Sequence, residues 1–244
     1  MGSEWSCPCA ERDRVRRRLP LTHEIEAFED NFPQLSLQIK AINSNKLEKV
    51  IKRPQAEHII SSISKHPLHN KPLLVSQISS ELEYSYSSEG KFTMVSVNFD
   101  TTQSLAESIK EKCSAGFILI GGFSDGGKIK LVYFSTRENY EREFVVRMED
   151  FVDLTELKSI FLDHQGYLYV GCIEHNDSAL IIFEKSVTPR PIKYLVAEYP
   201  ITDAEELDFD ECLSEKVNEC TANKEVRFRG CLSFKTALFL IFIQ

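Results

Sequence analysis

The chain has little of what marks several large functional classes. It has one Trp and three Met in 244 residues. No apolar run approaches the roughly 18–20 residues that cross a membrane as a helix. The longest at the C-terminal end, Ala237 to Ile243, has the length of a strand. The chain also lacks a basic excess. With 29 Lys+Arg against 37 Asp+Glu its formal net charge is −8, which argues against a general nucleic-acid binder and its net basic footprint. The first residues, MGSEWSCPCAERDRVRRRLP, contain no apolar h-region, so they do not read as a secretory signal. Glu4, Glu11 and Asp13 among the arginines argue against a mitochondrial presequence. Met1-Gly2 followed by Ser-Glu-Trp-Ser meets the short myristoylation pattern, a pattern that recurs by chance. The Arg12–Arg18 cluster reads as a solvated basic tail, with a nuclear-import or phosphate-binding patch as the sharper alternative.

Cysteine is present without a disulfide pattern. The seven residues Cys7, Cys9, Cys113, Cys172, Cys212, Cys220 and Cys231 are odd in number and scattered, which points to an intracellular chain. Cys172 and Cys231 sit in apolar, strand-like runs, where a thiol acts as a small hydrophobe. Cys7-Pro8-Cys9 has no second Cys or His pair at zinc-ligand spacing.

What is present is a core. Apolar residues make up 42% of the chain, enough for one large or two small domains. Residues 1–30 read as a flexible tail. Residues 31–70 read as helical: Leu35, Ile39, Ile42, Val50 and Ile51 recur at three-to-four spacing over Gln34–Arg53. Pro54 then suits the first turn of a second helix, with Ile59, Ile60 and Ile63 on one face of Gln55–Lys65. His66-Pro67 and Lys71-Pro72 end this section.

Residues 71–244 read as strand-rich. Lys91–Phe99 half-alternates, and Asp100 or Thr101 caps a short helix, Thr102–Cys113, whose inner face is Leu105, Ile109 and Cys113. Strands are predicted over Phe117–Gly121, Ile129–Phe134, Phe144–Met148, Tyr167–Ile173, Ala179–Phe183, Ile192–Ala197, Glu225–Ser233 and Ala237–Ile243. Turn signals such as Ser124-Asp125-Gly126-Gly127 and His175-Asn176-Asp177-Ser178 separate them. The fold class predicted is mainly β with an N-terminal helical segment: a sandwich, barrel or propeller. Residues 201–224 break the pattern. Asp203–Glu225 holds nine acids and two lysines, a net of −7, and reads as a solvated acidic insertion, helix or loop.

No residue pattern commits to chemistry, so no catalytic, cofactor-binding or metal residues are assigned. Gly122-Phe-Ser-Asp-Gly-Gly127-Lys128 matches the phosphate-loop spacing, but Ile129 stands where Ser or Thr would hold magnesium. A strand follows where a helix should open. Asp125-Gly126-Gly127 is better read as a hairpin turn. His23-Glu24 lacks the second His of a zinc-protease motif. His58, His66 and His69 straddle two prolines and read as surface histidines near a helix end. Tyr167, Tyr169, Phe183 and Tyr194 read as core or cross-strand pairs in preference to an aromatic binding face.

Three segments carry a family resemblance. They are Gly116–Arg137 (FILIGGFSDGGKIKLVYFSTR in its body), Leu157–Val187 (including SIFLDHQGYLYVGCIEHNDSALIIFEKSV) and Ala222–Phe242 (ANKEVRFRGCLSFKTALFLIF). In order and in pattern they resemble the C-terminal region of the subunit 4 family of the anaphase-promoting complex, a ubiquitin ligase of the cell cycle. Leu47–Ser64 is similar to a segment upstream of those strands in the family. The family's N-terminal blades and long helical insertion have no counterpart here, so the chain reads as the back portion of a longer subunit. The resemblance implies part of a WD40-like β-propeller with consecutive antiparallel blades, and a non-catalytic scaffold supporting the ligase's platform. It implies other subunits of the complex as partners, with no nucleic acid, membrane, small-molecule substrate or cofactor, and a nuclear and cytoplasmic location in mitotic cells. The runner-up is a stand-alone propeller or sandwich adaptor for protein–protein interaction. A nucleotide-binding enzyme built on Lys128 is the third reading. A half-propeller cannot close, so the apolar strand Ala237–Ile243 is expected at an exposed sheet edge, prone to aggregation unless another chain covers it.

Overall fold

A computed structural model describes residues 36–52, 58–69, 71–78, 91–135, 142–150, 153–186, 191–201, 208–222 and 226–244. The predicted tail over 1–30 and the turn at Pro54 lie outside them.

The chain builds the same unit four times: strand, helix, then two more strands. The first unit is β1 (Ser36–Ala41), α1 (Ser44–Lys52), β2 (His58–Lys65) and β3 (Pro72–Ile78). The second is β4 (Phe92–Val97), α2 (Thr102–Ser114), β5 (Phe117–Asp125) and β6 (Lys128–Ser135). The third is β7 (Phe144–Glu149), α3 (Leu154–Asp163), β8 (Tyr167–His175) and β9 (Ser178–Lys185). The fourth is β10 (Tyr194–Tyr199), α4 (Phe209–Thr221), β11 (Arg227–Phe234) and β12 (Ala237–Ile243). In every unit the strand order is first, third, second, all antiparallel. The molecule is therefore mainly β, in several antiparallel sheets, none closed into a barrel. Each unit contains three antiparallel strands and a helix.

The third strand of each unit is hydrogen-bonded on both sides and buried on both faces, which is why KIKLVYFS, SALIIFEK and ALFLIFI read as near-continuous apolar runs. The second strands β2, β5, β8 and β11 lie innermost, each against two of the others, and β2 also touches β8. Each carries an irregularity at the same place opposite its third strand, at Ile60/Ser62, Leu119/Gly121, Tyr169/Gly171 and Phe228/Gly230. Small residues at these bulges let the strands approach: Gly121 pairs with Ile63 as the single parallel contact between β2 and β5. Each helix packs against the first strand of the following unit: α1 on β4, α2 on β7, α3 on β10, and α4 back on β1.

Local signals account for the helices. Thr101 and Ser104 form a reciprocal capping box on α2, and the buried face is the predicted Leu105, Ile109 and Cys113. Asp153 accepts from Thr155 and Glu156 amides at the start of α3. Its buried Leu157, Ile160 and Phe161 then follow at three-to-four spacing.

Three expectations are corrected. The stretch 31–70 is not a helical segment: β1 and β2 flank one nine-residue helix. Ile39 and Ile63 are buried core residues of strands, each packed within an apolar cluster. The acidic stretch 201–224 is not a wholly solvated insertion. Its described part is α4, which buries Phe209, Leu213 and Val217 and leaves its acids largely on the outer face. The strand Ala237–Ile243 is not an edge. It lies between β10 and β11, with Leu238 through Ile243 buried.

The contact of α4 with β1 also removes an edge. β1 is the outermost strand of its sheet, and its outward amides need partners. Side chains four residues apart on α4 supply them. The Leu37 N–H donates to Asn218 Oδ1 at 2.9 Å, and Asn218 Nδ2 donates back to the Leu37 carbonyl at 2.9 Å. The Ile39 N–H donates to Ser214 Oγ at 2.9 Å. The Ala41 N–H donates to Asp210 Oδ2 at 2.7 Å. Helical and strand repeats match here: a four-residue helical step of about 6 Å against a two-residue strand step of about 6.6 Å.

Candidate functional site

Chemistry-bearing side chains gather where the inner strands end. Lys65 closes β2, Ser124 and Asp125 close β5, and Glu174 and His175 close β8. Lys65 Nζ lies 2.7 Å from Glu174 Oε1, and Glu174 Oε2 accepts the Lys235 N–H at 2.9 Å. One carboxylate thereby joins three units. Ser124 Oγ is 3.3 Å from His175 Nδ1, a pairing that suggests a nucleophile and its base. The other ring nitrogen has a polar neighbour too. Asn176 Nδ2 can only donate, and it stands 3.1 Å from His175 Nε2. With the Asn176 amide in this orientation Nε2 is the acceptor and Nδ1 donates to Ser124. A base for Ser124 needs the opposite tautomer. His175 is buried beneath the Phe99 ring, 5.3 Å between centroids.

His66 is not on the surface, as the sequence suggests, but 2% exposed. Its ring stacks on His69 at 4.8 Å and tilts against Phe209 at 4.7 Å. Nδ1 accepts the Leu68 N–H at 3.1 Å, so Nε2 carries the proton and points to Asp210 Oδ1, 3.6 Å away. Among the described residues no group of three or more His, Cys, Asp or Glu is arranged to hold a metal. The dyad instead belongs to the α4–β1 contact. Burial pushes the Asp210 carboxyl up, but the His66 ring N–H that faces it, the Ala41 amide bonded to it and the Lys40 charge leave it below its ordinary 3.8. A carboxyl depressed in the folded chain stabilises fully above its unfolded value, and that contribution is lost as pH falls through the folded one. The stability difference between the wild-type chain and Asp210→Asn is therefore expected to shrink as pH drops below about 4, followed by urea unfolding across pH 2–6. A difference that is flat over that range would remove the carboxylate from the contact.

The phosphate-loop match resolves as the hairpin it resembles. Asp125 and Lys128 pair across the β5–β6 turn, and Gly126 and Gly127 hold φ of 59° and 76°. Two successive positive φ values define the tight turn that glycine favours. Of the predicted aromatic set, Tyr169 and Phe183 are fully buried cross-strand partners, with Phe161 against both rings, and Tyr167 and Tyr194 pack partly buried against that core. The Tyr194 hydroxyl donates to the Tyr167 carbonyl and accepts the Tyr169 N–H. Burial pushes the Cys113 and Cys231 thiols up to about 12, as inert core thiols behave.

One surface feature was not visible in the sequence reading. Between α3 and β10 runs a groove of about 280 Å³, lined by Lys158, Phe161, Leu162, Tyr194, Leu195 and Val196 among others. Leu162 is 65% exposed and Leu195 43%, two of the three large hydrophobic side chains most open to solvent among the described residues. The pattern that could have revealed it is Asp153-Leu-Thr-Glu156, a capped helix start, followed by Leu162 off the apolar stripe of Leu157, Ile160 and Phe161.

No protein-family model, no curated protein and no solved structure matches this chain. No helix among the described residues is long and apolar enough to cross a membrane.

Proposed function

We propose that the chain is a non-catalytic protein-interaction scaffold whose four units act as the blades of a small propeller-like ring. The observation that carries this is the α3–β10 groove: Leu195 on the edge strand and Leu162 on the helix leave apolar surface open on its two walls, and exposed apolar surface of this kind marks interaction sites. The polar groups at the inner strand ends are turned toward one another, as in the Lys65–Glu174 pair and the Ser124–His175 pair. That arrangement suits rigidity more than turnover.

A more specific form of this reading makes the chain a platform subunit of the anaphase-promoting complex. It rests on the resemblance of Gly116–Arg137, Leu157–Val187 and Ala222–Phe242. All three segments contain the inner hairpin of a unit, so the resemblance is to one repeated element. The runner-up, an adaptor outside that complex, is favoured by the three-stranded, helix-containing units. One experiment separates them. The tagged full chain, verified as folded by its thermal transition, is recovered from dividing cells. The ligase's platform subunits are expected with it under the first reading; a folded chain that brings down none of them leaves the adaptor.

A further inference from the structure

The four units are alike enough that a difference between them is informative. In β1 the bond from the Ile42 N–H to the Pro72 carbonyl sets the even-numbered residues toward β3. Leu37, Ile39 and Ala41 then present their amides outward, where α4 meets them with Asn218, Ser214 and Asp210. In β10 the bond from the Gln244 N–H to the Lys193 carbonyl sets Lys193, Leu195 and Ala197 toward β12. Tyr194, Val196 and Glu198 are the residues whose amides face outward. Aligning the units on their bulges places Gln38, opposite Ser76, on Leu195, opposite Phe242. Leu37 then corresponds to Tyr194 and Ile39 to Val196.

The neighbouring helix differs at the matching positions. Leu162 and Lys158, four residues apart on α3, line the groove beside Tyr194 and Val196. They stand where α4 carries Asn218 and Ser214. A leucine cannot bond an amide, and a lysine cannot accept from one. Among the described residues no α3 side chain is hydrogen-bonded to the β10 backbone. The strand keeps an outward row of donors and acceptors, with the helix standing off as one wall of a groove and the strand as the other.

We propose that this groove takes an extended segment of a partner protein, added as a further strand on β10. The row of backbone groups at strand spacing calls for a strand, which meets them through its own backbone. Leu162, Leu195 and Phe161 call for apolar side chains on that segment. Lys158, the one charged residue lining the groove among the described residues, calls for an acidic side chain beside them. This deepens the scaffold reading and rests on it, by naming the chemistry of a partner.

The test uses the full chain against a displayed library of random eight-residue peptides. The comparison protein is Lys158→Ser/Leu162→Asn, which copies the α4 side chains into α3 and gives the β10 amides an internal partner. Both residues are exposed, so the variant is expected to keep the wild-type thermal transition. Selected peptides are expected to alternate apolar residues around an Asp or Glu. They should bind the wild-type chain at least about tenfold tighter than the variant and slow amide exchange at residues 194–198. In Lys158→Glu the preference should turn to peptides carrying Lys or Arg. No selection, equal binding to the double variant, or an unchanged preference in Lys158→Glu would each overturn the groove assignment. Recovery of cellular partners by a double variant that binds no peptide would end this inference and leave the scaffold reading standing.

Discussion

Replacing Gly121 with alanine should lower the unfolding free energy by about 3–5 kcal/mol, combining backbone strain with overpacking. A β-carbon there would sit 2.6 Å from the Ile63 carbonyl oxygen and 3.1 Å from the Ile63 nitrogen. Both are backbone atoms of β2, so no side chain can swing aside. Gly121 also holds φ at 149°, a conformation that L-residues rarely adopt. Alanine must therefore separate β5 from β2, and with it the first two units. The control is Gly126→Ala at the tip of the same hairpin. A β-carbon at Gly126 meets nothing within 4 Å, and with φ at 59° only a left-handed penalty of about 1–2 kcal/mol applies. Urea titrations of the two variants settle the matter. Equal losses would mean that the close approach of the inner strands does not hold in solution.

The second large effect is expected at Glu184. Its carboxylate accepts from Arg142 Nη1 at 2.7 Å, and both side chains are only 4% exposed. The pair joins the start of the third unit to the end of β9, beside the Cys113 thiol of α2, whose ionisation it influences. Glu184→Leu alone removes this carboxylate from beside a guanidinium that remains buried, at a cost of about 3–5 kcal/mol. The double change Arg142→Leu/Glu184→Leu removes both desolvated charges. It is expected to recover most of that loss, because a buried ion pair contributes little net stability over apolar residues of similar volume. A complete double-mutant cycle by thermal unfolding reads the coupling directly. Singles that cost under about 1 kcal/mol would show the pair to be solvated.

The sequence was most legible where local chemistry and tertiary placement agree. The cap at Thr101, the stripe Leu105, Ile109 and Cys113, and the Gly126-Gly127 turn needed nothing from outside their own segments. The hairpin strands of units two to four were found within a few residues because their third strands are buried on both faces. Unit one was misread because the same apolar residues satisfy two periods. Ile39 and Ile42 fit a helix, but in Leu37–Ala41 the alternation of Leu37, Ile39 and Ala41 with Gln38 and Lys40 is the period that tertiary packing selects. In HIISSISK three β-branched isoleucines favour a strand, as their stiffness predicts, while their spacing mimics a helical face. The short helix α1 begins at Ser44, within Asn43-Ser44-Asn45, where the polar run offers a helix start. The repeat was masked by its loops. Two residues join β8 to β9, but six separate β2 from β3, so equal periods do not appear along the chain. The groove leaves only one faint mark in the sequence, Leu162 off the apolar stripe of α3. Leu162 is an ordinary helix residue until it is compared with Asn218, and that comparison needs the two units superposed.

The α4–β1 ladder carries a kinetic consequence. The Leu37–Asn218 bonds close a loop of 181 residues, whereas each hairpin closes locally over a few. Contacts of such separation form late, because loop entropy is spent before they give any return. During synthesis the outer edge of β1 has no helix to cover it until residues 209–221 have left the ribosome. For that interval the first unit presents the open edge that the finished molecule hides, and Leu37, Ile39 and Ala41 are the amides exposed to any other strand nearby. The polar trio on α4 thus acts as a latch that sets when the chain becomes safe from pairing with its neighbours, as well as how firmly it is held afterwards.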